Sequence, residues 1–166
     1  MLSKPDAGWT EFRLDGTSSY WLSYLDNIPL DWLNQAINGL ETMLPFCVKG
    51  FMEPTRFLCV VSYWNCHIIC EDEHRSPLNN SDTIRECSHT SMLQFCQYLY
   101  DDISSHLDDW VDFASSQSSQ IIFSEDDDEI NACKAEMREL LVQKLNELCR
   151  LIDENQQCFG ENRTFL

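Results

Sequence analysis

Positive charge is what this chain has least of: 11 Lys and Arg stand against 28 Asp and Glu, a formal net charge of −17 over 166 residues. Binding to nucleic acid depends on neutralising phosphates with Lys and Arg, so that class of partner is excluded, and anionic membrane surfaces are repelled for the same reason. No run approaches the roughly eighteen apolar residues that a spanning helix needs. The opening Met1-Leu2-Ser3-Lys4-Pro5-Asp6 has no apolar core that could serve as a secretory signal. A soluble, cytoplasmic protein that binds neither membrane nor nucleic acid is expected. Signature motifs are missing too: there is no G-x-G-x-x-G, no P-loop, no H-E-x-x-H and no nucleophile elbow. No catalytic residue and no cofactor is therefore nominated.

Cysteine, by contrast, is abundant. Nine are present, at 47, 59, 66, 70, 87, 96, 133, 149 and 158. The odd number and the lack of an export signal argue against a disulfide framework. Most also sit where a small hydrophobe would, Cys59 in a strand-like run and Cys96, Cys133 and Cys149 in helical patterns, so they are read as reduced core or near-surface thiols.

The apolar content of 43% is enough to build a core, and the length suits one domain, 1–166. Its organising stretch is residues 46–73. Phe57-Leu58-Cys59-Val60-Val61-Ser62-Tyr63 is apolar on both faces, as a central buried strand is, and Cys66-His67-Ile68-Ile69-Cys70 returns beside it after Trp64-Asn65. Residues 46–52 make a third strand, reversed through Glu53-Pro54-Thr55-Arg56. Upstream, residues 9–14 alternate and end in Asp15-Gly16, and residues 18–25 are either their hairpin partner, the preferred reading, or an irregular aromatic segment. Asn27 and Pro29 open a first helix carrying Leu30, Leu33, Ile37, Leu40 and Leu44 until Pro45 stops it; Gly39 inside it marks either close packing or a fray point. Residues 1–73 form the strand-helix-meander portion.

Residues 71–90 are polar and read as a long loop. Ser91 and Gln94 form a capping box that opens a second helix, with Met92, Cys96, Leu99, Ile103, Leu107, Trp110 and Ala114 at helical spacing over about six turns. Residues 115–120 are a linker and Ile121-Ile122-Phe123 a short tether. Ser124 caps a third helix whose stripe, from Ile130 through Leu141 and Leu148 to Ile152, carries it to Asn155. Residues 91–155 are thus a helical pair, and 156–166 a frayed tail. The expected fold class is α+β: an antiparallel sheet of four to five strands packed against three helices, the last two forming a long antiparallel pair.

Between Glu86 and Cys133 there is no Lys or Arg. Ten acids in this interval form two clusters: Asp101, Asp102, Asp108, Asp109 and Asp112 on the second helix, and Glu125, Asp126, Asp127, Asp128 and Glu129 at the start of the third. Like charges so spaced repel, with no opposite charge nearby in sequence, and a basic protein partner would relieve them. A solvated face is the plainer account of the same run. Trp64, at a hairpin tip, is the candidate aromatic anchor.

Cys66, His67 and Cys70, followed by His74, Cys87 and His89, have the residue types of a zinc site or a thiol enzyme. The spacing opposes a metal, because on a strand Cys66 and Cys70 share a face that His67 does not. No metal ligand is assigned, and a thiol- or metal-dependent enzyme using residues 66–89 stands as the alternative.

In size, charge and element order, the chain resembles the small acidic immunity proteins of bacterial toxin systems. That resemblance implies a non-enzymatic module that covers a basic toxin. It supplies no site residue, since no motif is shared.

Overall fold

The computed structural model describes residues 1–53, 55–72, 84–116 and 127–161. Strands β1 (Trp9–Phe12) and β2 (Tyr20–Ser23) form an antiparallel hairpin in the register Trp9↔Ser23 to Phe12↔Tyr20. Gly16 in its turn takes φ +78°, a conformation that costs a residue without Cβ nothing. This hairpin is a sheet of its own.

Helix α1 (Ile28–Thr42) follows, with Pro29 in the first turn, where its missing N–H costs nothing. Met43, at φ 55°, ends it in the left-handed conformation, so Leu44 leaves the buried stripe and is 61% exposed. Trp32 holds the centre of the buried face; its Nε1 donates to the Lys49 carbonyl at 2.7 Å. Gly39 is a close-packing site: a Cβ there would lie 2.2 Å from Cδ1 of Phe46.

The second sheet is a four-stranded antiparallel meander, β3 (Phe46–Phe51), β4 (Thr55–Val61), β5 (Cys66–Asp72) and β6 (Ile84–Ser88), in that order across the sheet. The loop expected over 71–90 is corrected at 71–72, which belong to β5, and at 84–88, which form β6; residues 73–83 lie outside those described. β6 is an edge strand: only Ser88 is buried, so its polar composition carries no alternating apolar signal. Hydrogen bonds secure it, from Ser18 N and Oγ to Glu86 (2.8 and 2.7 Å) and from Ser88 Oγ to the Asp15 carbonyl (2.9 Å). Phe57, Cys59 and Val61 of β4 are fully buried, while Leu58 and Val60 on the opposite face are half-buried. The strand is central in order but sealed on one face only.

Ser91 and Gln94 make both halves of the capping box of α2 (Met92–Ser105). The second helix is not continuous, however. His106 (φ −132°, ψ 39°) breaks it and α3 (Leu107–Ser115) starts anew, turning Trp110 and Phe113 into the core. Helix α4 (Asp127–Glu161) does not stop at Asn155, because no helix breaker occurs before Gly160. The residues that would contain the Ser124 cap and the 121–123 tether lie outside those described.

The architecture is α+β, as expected, but with a four-stranded sheet plus a separate two-stranded one and, among the described residues, four helices rather than three. α4 packs against α1, α2 and α3. One core cluster draws on the hairpin, the meander and the four helices described. At its heart the Phe57 ring touches Phe12 (centroids 4.9 Å apart) and Trp32 (6.2 Å), and Phe95 of α2 reaches Trp32 and Phe46. Among the described residues, no helix is long and apolar enough to cross a membrane.

Candidate interaction surface

Two ion pairs define how the acidic segments meet. Lys134 Nζ lies 2.8 Å from Asp112, and Arg138 pairs with Asp108. Four residues separate the acids on α3 and the bases on α4, in opposite order, so the helices run antiparallel here with both acid clusters on neighbouring surface. Asp127, Asp128 and Glu129 are exposed in the first turn of α4, five to seven residues from Lys134, about 8–10 Å along the axis. Glu125 and Asp126 lie outside the described residues.

The acids of α2 and α3 do have opposite charges nearby, supplied by distant parts of the chain. Besides the two pairs from α4, Lys4 Nζ lies 3.0 Å from Asp109, and Asp102 takes the Met1 amino group (3.1 Å) and the Leu2 N–H (2.7 Å). Asp101 accepts from Gln97 Nε2 at 3.1 Å. Helical spacing could show the Gln97–Asp101 contact, four residues apart on α2, but not the ion pairs, because each of those joins elements far apart in sequence. They leave much of the carboxylate surface open, Asp108 being 85% exposed and Asp112 64%. Exposed pairs of this kind contribute about 0–1 kcal/mol and exchange readily for other partners.

Between α3 and residues 5–8 lies a cleft of about 470 Å³. Asp6, Asp109 and Asp112 supply its carboxylates, the Tyr24 ring one wall and Phe113 part of its apolar lining. Ala7 (φ 47°) and Gly8 (φ 83°) form the tight bend that brings Asp6 there, and a Cβ on Gly8 would stand 2.7 Å from Cδ1 of Tyr24. A cationic side chain could enter, meet carboxylate oxygens and lie against an aromatic ring. Sequence reasoning missed Asp6, whose one signal was a turn-forming Asp-Ala-Gly run.

Trp64 is not part of this surface. Its indole, 74% exposed, lies edge-on to the Tyr63 ring (4.7 Å) beside a separate groove of about 320 Å³ that reaches Asn155 of α4. Twenty-six residues of continuous helix separate Asn155 from Glu129, roughly 40 Å.

The cysteine segment divides between two faces. Cys66 is fully buried, its thiol directed to the Thr90 carbonyl at 3.3 Å, and Cys70 is nearly so, while His67, Cys87 and His89 are exposed. A hydrogen bond to Cys66, and then burial, push the Cys59 thiol well above its ordinary pKa, and burial, then Glu86, takes Cys70 up to about 11. Both changes oppose the thiolate that nucleophilic or metal chemistry requires. Among the described residues, no three His, Cys, Asp or Glu side chains are placed to hold a metal; His74 lies outside them. Compared with protein-family models, curated protein sequences and solved structures, the chain shows no match in any of the three.

Proposed function

We propose that this protein is a non-enzymatic interaction module that takes a basic protein partner on its acidic helical face, and that the partner class implied by the likeness to immunity proteins is a toxin it neutralises. The observation carrying this reading is the cleft in which Asp6, Asp109 and Asp112 converge beside Tyr24. Asp108 adjoins Asp109, Asp102 holds the Met1 amino group, and Asp127, Asp128 and Glu129 open α4, whereas Asp101 stands apart, bonded to Gln97, which reaches Gln156 of α4. An incoming Arg or Lys exchanges with Lys4 or Lys134 at small cost, because the internal pairs are exposed. The net charge of −17 steers a basic partner in from a distance, an effect screened beyond about 8 Å at physiological salt.

The test is retention of a basic partner from a lysate of the source cells at low and high salt, on the native chain and on the triple variant Asp6→Asn, Asp109→Asn, Asp112→Asn. A partner held at low salt, released at high salt and lost by the variant supports the reading. A partner held equally by both proteins removes the cleft from it.

A further inference from the structure

Alternation along the meander buries Phe57, Cys59 and Val61 of β4 and Cys66 and Ile68 of β5 on one face of the sheet, and turns the residues between them to the other. On that outer face the strand register sets two complete rungs. One is Lys49↔Leu58↔Ile69↔Arg85, and the next is Cys47↔Val60↔His67↔Cys87. Lys49, Arg85, His67 and the two cysteines are exposed, while Leu58, Val60 and Ile69 in the middle strands are half-buried. The face is an aliphatic stripe with a cation at either edge.

In a chain of 28 acids and 11 bases, neither rung holds a carboxylate. Glu86 of β6 pairs with buried Ile68 and is held by Ser18, so it belongs to the opposite face. Arg56 on the third rung stands opposite Glu71, which leaves that rung without net charge, and Asp26 offsets part of the Lys49 charge.

The surface of opposite character is on the same molecule. Asp6, Asp109 and Asp112 bring carboxylates to a cleft whose walls include the Tyr24 ring, Ala7 and Phe113. Lys49 and Arg85 are three strand spacings apart, about 14 Å. From Asp112, through Lys134, the carboxylates that open α4 lie about 8–10 Å along the axis, a comparable span for side chains as long as Lys and Arg. Cations flanking an aliphatic stripe thus match acids flanking an apolar wall. The two surfaces share no residue, so one copy can use both.

We infer that the outer sheet face docks on the acidic cleft of a second copy of this chain, with Arg85 entering between the carboxylates beside Tyr24 and Lys49 facing the acids of α4. A planar guanidinium suits that position, since it accepts carboxylates on its fork and stacks on a ring. This rests on the reading of the cleft as a site for cationic side chains, and names a second copy as one occupant. The contact is head-to-tail, which leaves a cleft and a sheet face at the two ends for further copies. A basic partner that fills the cleft then takes the copies apart.

The test is sedimentation velocity of the full chain at physiological salt, under reducing conditions so that exposed Cys47 and Cys87 form no disulfides. The native chain is compared with the cleft variant Asp6→Asn, Asp109→Asn, Asp112→Asn and the face variant Lys49→Gln, Arg85→Gln. Association of the native chain is expected to rise with concentration, and either variant alone to associate roughly tenfold or more weakly. An equimolar mixture is expected to recover a two-chain species, because the intact face of one variant meets the intact cleft of the other. A native chain that stays monomeric at millimolar concentration overturns the inference, as does native-like association of either variant, or a mixture that recovers nothing. An NMR titration of the cleft variant with a synthetic Leu/Glu helix covers the other occupant: shifts at Ile69 and Arg85, without recovery in the mixture, reassign the face to an acidic partner protein. If the native chain is monomeric yet a basic partner from the lysate is lost with the cleft variant, the inference falls and the reading of the cleft stands. If the mixture recovers the pair while no basic partner is retained, the inference stands and the foreign partner falls.

Discussion

Lys134 of α4 and Asp112 of α3 stand 2.8 Å apart, and one turn along both helices Arg138 meets Asp108. This ladder brings two stretches of like charge together, because the bases for α3 come from inside the very helix that carries the second cluster.

Removing the ladder with Lys134→Ala and Arg138→Ala is expected to cost no more than about 1 kcal/mol per pair in urea unfolding, since all four side chains are well exposed. In the same variant, affinity for a basic partner at low salt should rise, two carboxylates having lost their internal partners. A loss of several kcal/mol would mean that the pairs, rather than apolar packing, hold α3 to α4.

Gly39→Ala sets two effects against each other. Helix propensity favours Ala by up to about 1 kcal/mol, but the new methyl would overlap the Phe46 ring, which is itself buried against Phe95. Overlap is expected to win, for a net destabilisation of about 1–3 kcal/mol by denaturant unfolding. A stabilised variant would show that the Phe46 ring has room to turn away.

Glu86 ties β6 to the hairpin loop. Burial raises its pKa, but the hydroxyl and amide of Ser18 outweigh burial and hold it below the ordinary 4.5; the neighbouring Tyr20 hydroxyl, outside normal hydrogen-bond geometry, acts in the same sense. A carboxyl with a lowered folded-state pKa contributes stability that is fully present above 4.5 and is lost as pH falls through the folded value. The stability advantage of the native chain over Glu86→Gln should therefore shrink as pH is lowered from neutral to about 3. Comparing the two proteins cancels the general relief of negative charge at low pH. A gap that stays constant would place the Ser18 contact outside the pH-dependent part of the stability.

Thiol labelling follows from burial. Cys47, Cys87 and Cys158 are exposed and should react with DTNB in the native protein, whereas Cys59, Cys66, Cys70 and Cys96 should react only on unfolding. Mass mapping of the labelled peptides reads this directly. Fast labelling at Cys66 would restore the thiol-enzyme alternative.

Elements whose residues speak to near neighbours were legible in the sequence. The capping box at Ser91, the proline start of α1 and the first three strands of the meander follow from hydrogen-bonding side chains, fixed dihedrals and apolar periodicity over a few residues. β6 was not legible, since an edge strand shows most of its side chains to water. Nor was the break at His106: Ile103 before it and Leu107 and Trp110 after it keep helical spacing across it, so the apolar pattern runs on unbroken.

The sequence by itself determined the charge, the α+β class and the choice of residues that form the core. Tertiary structure decided which charges face one another and which surfaces exist. Asp108 and Arg138 are 30 residues apart and meet only because α3 and α4 pack antiparallel. Trp64, placed with the acids in the sequence reading, is carried to the other end of α4 by the turn on which it sits. Local periodicity reaches three or four residues, whereas these relationships depend on how whole elements bury their apolar faces against each other.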